Sequence, residues 1–116
     1  MKDFMLIFLN ADYSDLGLSP EEIQNRMQKW FEWHEKMEKQ GIVKHGEALE
    51  APVSRISGPD KIVTDNVVLS AKELIGGYYV VQAKDLNAAK EIAQDFPDYD
   101  LGGTVEIREV MVFENY

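Results

Sequence analysis

Residues 4–9 (FMLIFL) form an unbroken apolar run, too short for a buried helix and suited to a strand covered on both faces. A polar loop over residues 10–18 leads to Ser19-Pro20-Glu21-Glu22. Serine as N-cap, proline at the first helical position and glutamate three residues after the cap together announce a helix start. From there Ile23, Met27, Trp30, His34 and Met37 recur at helical spacing, and Gly41 supplies a left-handed stop. A strand is expected over residues 42–48. The turn Ser57-Gly58-Pro59-Asp60, flanked by residues 53–56 and 61–63, predicts a β-hairpin. Gly76-Gly77 introduces a strand over residues 78–83, and Asp85 caps a second helix through Ala89, Ile92, Ala93 and Phe96 that Pro97 ends. After a loop over residues 98–103, Val105 and Ile107 alternate with Glu106 and Arg108 in a last strand running to about residue 113.

The order β-α-β, hairpin, β-α-β predicts one α+β domain over residues 1–116. Its expected architecture is a ferredoxin-like, split β-α-β antiparallel sheet with both helices on one face. Two helices cover only one face, yet the first strand is apolar on both. A second copy stacked sheet to sheet would cover the other, so a homodimer with a dimeric α/β-barrel-like assembly is expected; the alternative is that the C-terminal segment folds over that face.

Composition narrows the partners. The chain has 116 residues, 21 of them acidic and 12 basic, for a net charge of −9. With no cluster of Lys and Arg to neutralise phosphates, nucleic-acid binding is not expected, and the same charge disfavours anionic membrane surfaces. No apolar run approaches the length of a membrane span, and the start of the chain lacks the positive, apolar and small-residue regions of a secretory signal. The expected location is cytoplasmic. The absence of cysteine removes disulfides, thiolate catalysis and cysteine metal sites.

Among candidate chemical groups, His34 stands out, because the helical wheel places it in the apolar stripe, pointing towards the sheet or a cavity above it. Histidine there can exchange protons near neutral pH, or simply be a buried, hydrogen-bonded side chain. His45 and Glu47 alternate onto one strand face, but no third ligand follows, so no metal site is expected. Trp30 belongs to the stripe and Trp33 lies about 80° off its centre by the 100° wheel; either a ligand wall or core packing fits them. Lys72 and Glu73, with Asp65 before them, suit either an anion site or surface ion pairs, and Glu106 and Arg108 either a carboxylate site or a subunit contact. No phosphate-binding, dinucleotide or nucleophile-elbow motif is present, and no cofactor is expected.

The segment Ser57-Gly58-Pro59-Asp60-Lys61-Ile62-Val63-Thr64-Asp65, followed by Lys72-Glu73-Leu74-Ile75-Gly76-Gly77-Tyr78-Tyr79, resembles the YCII-related (DGPF-domain) family. Ser19-Pro20-Glu21-Glu22, the Gly41 turn and Val105-Glu106-Ile107-Arg108 agree with it, so the likeness spans essentially the whole chain. The namesake motif, aspartate-glycine-proline-phenylalanine, is here Asp65-Asn66-Val67-Val68. The resemblance implies a ferredoxin-like fold and a dimer. It also implies a histidine–aspartate dyad proposed for one branch, whose positions fall near Trp30 and Asp95 and not on His34.

The resulting expectation is a cofactor-free small-molecule enzyme of hydrolase, lyase or isomerase type, with a pocket between the first helix and the sheet. In that reading His34, Asp65 and Glu73 are the catalytic candidates. Trp30, Lys72, Tyr78 and Arg108 are the substrate-binding candidates, for a small anionic or aromatic ligand. The alternative is a non-catalytic ligand-binding or regulatory module, or a protein-interaction module.

Overall fold

The computed structural model describes residues 1–9, 13–70 and 72–114. Its strands are β1 (Lys2–Leu9), β2 (Val43–Ala48), β3 (Arg55–Ser57), β4 (Ile62–Thr64), β5 (Ile75–Ala83) and β6 (Thr104–Glu109). The helices are α1 (Pro20–Lys39) and α2 (Leu86–Ala93), with single 3-10 turns at Tyr13–Asp15 and Tyr99–Leu101. The first of these turns lies inside the stretch expected to be loop; residues 10–12 of that loop fall outside the described residues.

Local chemistry sets the helix ends. Ser19 Oγ accepts the Glu22 N–H at 3.1 Å, and the Glu22 carboxylate accepts the Ser19 N–H at 3.4 Å, closing the capping box. At the other end Gly41 takes φ 68°, which lets the Gly41 and Ile42 amides donate to the Glu38 and Met37 carbonyls. This is a Schellman stop, and it turns the chain directly into β2. In α2, Asp85 accepts the Ala88 N–H at 2.9 Å.

Four strands form one antiparallel sheet in the order β2-β5-β1-β6. Two helices with a four-stranded antiparallel sheet make an α+β fold, and this strand order is compatible with a ferredoxin-like one. Since β5 pairs antiparallel with both β1 and β2, those two strands run parallel with β5 between them, the mark of a split β-α-β unit.

Alternation then sorts the sheet. Phe4, Leu6 and Phe8 of β1 face the helices and are buried, joined by Val81 and Ala83 of β5 and by Trp33, Met37, Ala89, Ala93 and Phe96. Met5, Ile7 and Leu9 point to the helix-free face and are half-buried, with Tyr78 and Val80 of β5 beside them. Val80 is only 5% exposed there, shielded by neighbouring strands.

Two local expectations are corrected. The inward face of α1 is carried by Trp33 (4% exposed) and Met37, not by a stripe centred on His34, whose side chain is 43% exposed at the edge. Met27, further along the expected stripe, is 43% exposed. A helix of 20 residues is about 30 Å long, and only its C-terminal half lies down on the core. The last strand ends at Glu109 rather than near residue 113; Val110 adds one further hydrogen bond, to the Asp3 carbonyl.

β3 and β4 form a separate two-stranded hairpin with Ile56 opposite Val63. Its neck is closed by the Val67 N–H to Val53 carbonyl bond and by Ser54 Oγ donating to Asp65 at 2.9 Å. Asn66 holds φ 52° at the position of the namesake motif's glycine. Asparagine is among the few residues that tolerate this left-handed conformation.

Candidate functional site

Where α1 rises off the sheet it leaves a pocket of about 570 Å³. One wall is the middle of α1, with Met27, Trp30, Phe31 and His34. The opposite wall is residues 46–51 at the end of β2, together with residues 74–79 at the start of β5. Phe8, Tyr13 and Asp98 also line it. Beneath it lies an aromatic cluster in which Phe8 meets Trp30 edge-on at 5.1 Å, meets Tyr79 edge-on at 5.7 Å and stacks on Phe96 at 5.3 Å. Edge-to-face and offset contacts of this kind hold rings in fixed orientations and make a stiff floor.

His34 is the titratable group best placed for chemistry. Its Nδ1 lies 3.1 Å from the Tyr79 hydroxyl and its Nε2 3.1 Å from a Glu38 carboxylate oxygen one turn along α1. With Nε2–H donating to Glu38, the neutral ring accepts from Tyr79 at Nδ1; once protonated, it donates at both nitrogens. Burial pushes the Tyr79 phenol above its ordinary pKa, so it stays a neutral donor and acceptor. The Tyr79 ring reaches His34 by lying across β2 at Gly46, filling the space where a side chain at that position would stand.

A second polar group sits at the inner end. Asp98 is fully buried. It accepts from the Tyr13 hydroxyl at 2.7 Å and from the Trp30 indole N–H at 3.2 Å, and the same N–H lies 3.0 Å from the Tyr13 oxygen. Burial, then the hydrogen bond to Asp98 and its charge, push the Tyr13 phenol well above its ordinary value. Arg26 approaches the other Asp98 oxygen at 3.8 Å and clamps the 3-10 turn that carries the group. It donates to the Pro97 carbonyl at 3.0 Å and grips Asp100 with both terminal nitrogens, at 2.5 and 2.6 Å, which pulls the Asp100 carboxyl below the usual range.

The fold brings only some of the sequence candidates together. His34 and Trp30 line the pocket. Tyr78 contributes to the same wall, while its ring packs edge-on against His45, 5.9 Å away, on the helix-free face. Asp65 ties the hairpin neck, and Glu73 accepts the Ser70 N–H at 3.2 Å in an exposed turn. Lys72 is exposed beside it, and Arg108, opposite Met5, lies on the helix-free face. None of these four lines the pocket. Asp95, the position to which the resemblance carries a dyad aspartate, is exposed and paired with Lys36 at 2.9 Å. The aspartate that does meet Trp30 is Asp98, 68 positions away. Sequence reading missed Asp98, Tyr13, Tyr79 and Gly46; an acidic residue beside a helix-ending proline was the one local signal for the first. Among the described residues no group of three His, Asp or Glu stands ready to hold a metal ion, and no helix is long and apolar enough to cross a membrane.

No curated protein matches the chain. A family model described as the YCII-related domain matches residues 4–114, nearly the full length, and the chain therefore belongs to the YCII-related family.

Proposed function

Starting from that membership, we propose that this domain binds a small, largely apolar molecule in the pocket between α1 and the sheet. There His34 is placed to exchange a proton with it, without a cofactor. The observation that carries this reading is the His34–Tyr79 hydrogen bond of 3.1 Å at the wall of a pocket of about 570 Å³. That volume is in the range of small-molecule sites, and the walls are mainly aromatic and aliphatic with few polar groups, as such sites are built. A ring nitrogen within hydrogen-bonding reach of a bound molecule suits proton transfer of the hydrolase, lyase or isomerase type. Trp30 lines the pocket and Trp33 packs against Trp30, 5.6 Å between ring centroids, so tryptophan fluorescence reports directly on occupancy. Screening apolar metabolites by that signal, then assaying hits for turnover, tests both halves. His34→Ala should cost about 10²-fold or more in turnover. Turnover unchanged in that variant would take the chemistry away from His34, and hits that bind without turnover would leave a binding module.

The helix-free sheet face supports a homodimer. Met5, Ile7, Leu9 and Tyr78 form an apolar strip there, rimmed by the Lys44–Asp3 pair (3.0 Å) and by Glu106 and Arg108. The hairpin adds exposed Ile56, Ile62 and Val63, and a two-stranded hairpin is marginal in water unless it packs against something. A second copy would cover both surfaces.

A further inference from the structure

We infer that the pocket selects its ligand by charge, taking an organic cation with a flat apolar body and rejecting anions. This rests on the reading of the pocket as a small-molecule site and names the class of molecule. Glu50 and Asp98 are among the lining residues, whereas Glu47, opposite Tyr78 in the register, turns its side chain to the helix-free face; no lysine or arginine is among the lining residues in the described chain. The cations expected to hold an anionic ligand lie elsewhere, Lys72 in an exposed turn and Arg108 on the other sheet face. Arg26, the basic residue nearest the inner end, is held by Asp100 and the Pro97 carbonyl and approaches Asp98. A carboxylate or phosphate entering the pocket would therefore meet repulsion from like charges with no counter-ion, inside a protein of net charge −9.

The remaining walls suit the opposite charge. Trp30 and Phe31 on α1 and Tyr79 on β5 present aromatic rings to the same space, and ring faces attract alkylammonium groups. Phe31 is 63% exposed, so part of this aromatic surface lies open at the mouth, where it can close on a ligand. His34 needs no anionic ligand as a partner when protonated, because Glu38 already lies at its Nε2.

The test compares three molecules of one shape: benzyltrimethylammonium, 2-phenylethanol and 3-phenylpropionate, titrated against the full chain by tryptophan fluorescence and calorimetry. The cation should bind about tenfold or more tighter than the carboxylate, the alcohol falling between. The preference should shrink in high salt and in Glu50→Gln. It should persist in Glu91→Gln, which changes the net charge away from the pocket and so controls for the overall field. Equal or tighter binding of 3-phenylpropionate overturns the inference, as does a preference that Glu50→Gln leaves intact. If 2-phenylethanol binds without a charge preference, the inference falls and the pocket reading stands. If none of the three binds, both fall together.

Discussion

The ring of Tyr79 lies over Gly46 on the neighbouring strand, in the space that a β-carbon at position 46 would occupy. A glycine in a strand interior ordinarily weakens it; here it is the opening through which a tyrosine crosses the sheet to reach His34. Gly46→Ala should push the Tyr79 ring aside and cost about 1–3 kcal/mol, the range for overpacking a fitted site. Denaturant midpoints measure that cost. Loss of the His34–Tyr79 bond should appear as movement of the His34 ring resonances in NMR spectra while those of His45 stay. Unchanged stability with unmoved His34 resonances would show that the strand accommodates the methyl group elsewhere.

Tyr79→Phe separates packing from chemistry. It keeps the ring over Gly46 and removes only the hydroxyl, so stability should change by about 1 kcal/mol or less. If proton transfer uses the His34–Tyr79 pair, turnover of a substrate should fall with little change in its binding. Equal losses in both would assign Tyr79 to binding alone.

Asp98 accepts hydrogen bonds from two side chains distant in sequence, Tyr13 and Trp30, and has Arg26 beside it. Asp98→Ala should leave those donors buried without their acceptor and destabilise the fold by about 3 kcal/mol, with Asp98→Asn costing less because one oxygen remains. Urea unfolding of the two variants ranks them; the reverse ranking would mean that the charge at this position is a burden rather than a support.

Alkaline pH should weaken the protein in a defined window. Tyr13 and Tyr79 both have folded pKa values raised above the ordinary 10.0. Up to about pH 9 neither contributes a slope, since both states keep the proton. Above it the unfolded chain loses protons that the folded one retains, so stability falls as pH rises towards the folded values. Tyr13→Phe and Tyr79→Phe should each flatten that decline, compared by urea midpoints at about pH 9 and about pH 11. Curves of equal slope would show that these phenols ionise without regard to folding.

Light scattering tests the homodimer. The wild-type chain should run as a dimer, and Ile7→Glu, on the helix-free face, should yield a monomer with an unchanged circular-dichroism spectrum. A wild-type monomer at micromolar concentration would leave the apolar strip to another partner.

Much of the secondary structure was legible because the chemistry that sets it is local. The Ser19 capping box, the Gly41 stop, the Asp85 cap and the hairpin turn each need only residues a few positions apart, and all four form. Asn66 shows the same logic where the namesake motif had changed: it holds a left-handed backbone that asparagine tolerates. The last strand was read too long because residues 110–113 carry strand-like apolar side chains, while the register with β1 ends at Glu109 opposite Phe4.

The sequence by itself determined the elements, their order and the excess of apolar surface on β1. It could not decide which side of α1 faces inward, since the tilt of that helix on the sheet, set by how the Trp33, Met37 and Phe96 side chains fit together, chooses between neighbouring stripes. Nor could it pair Trp30 with Asp98, 68 positions away, or His34 with Tyr79, 45 away. Those meetings depend on strand register and on α1 lifting off the sheet. Both are settled only when the whole core packs, which is why the elements could be read along the chain and the pocket could not.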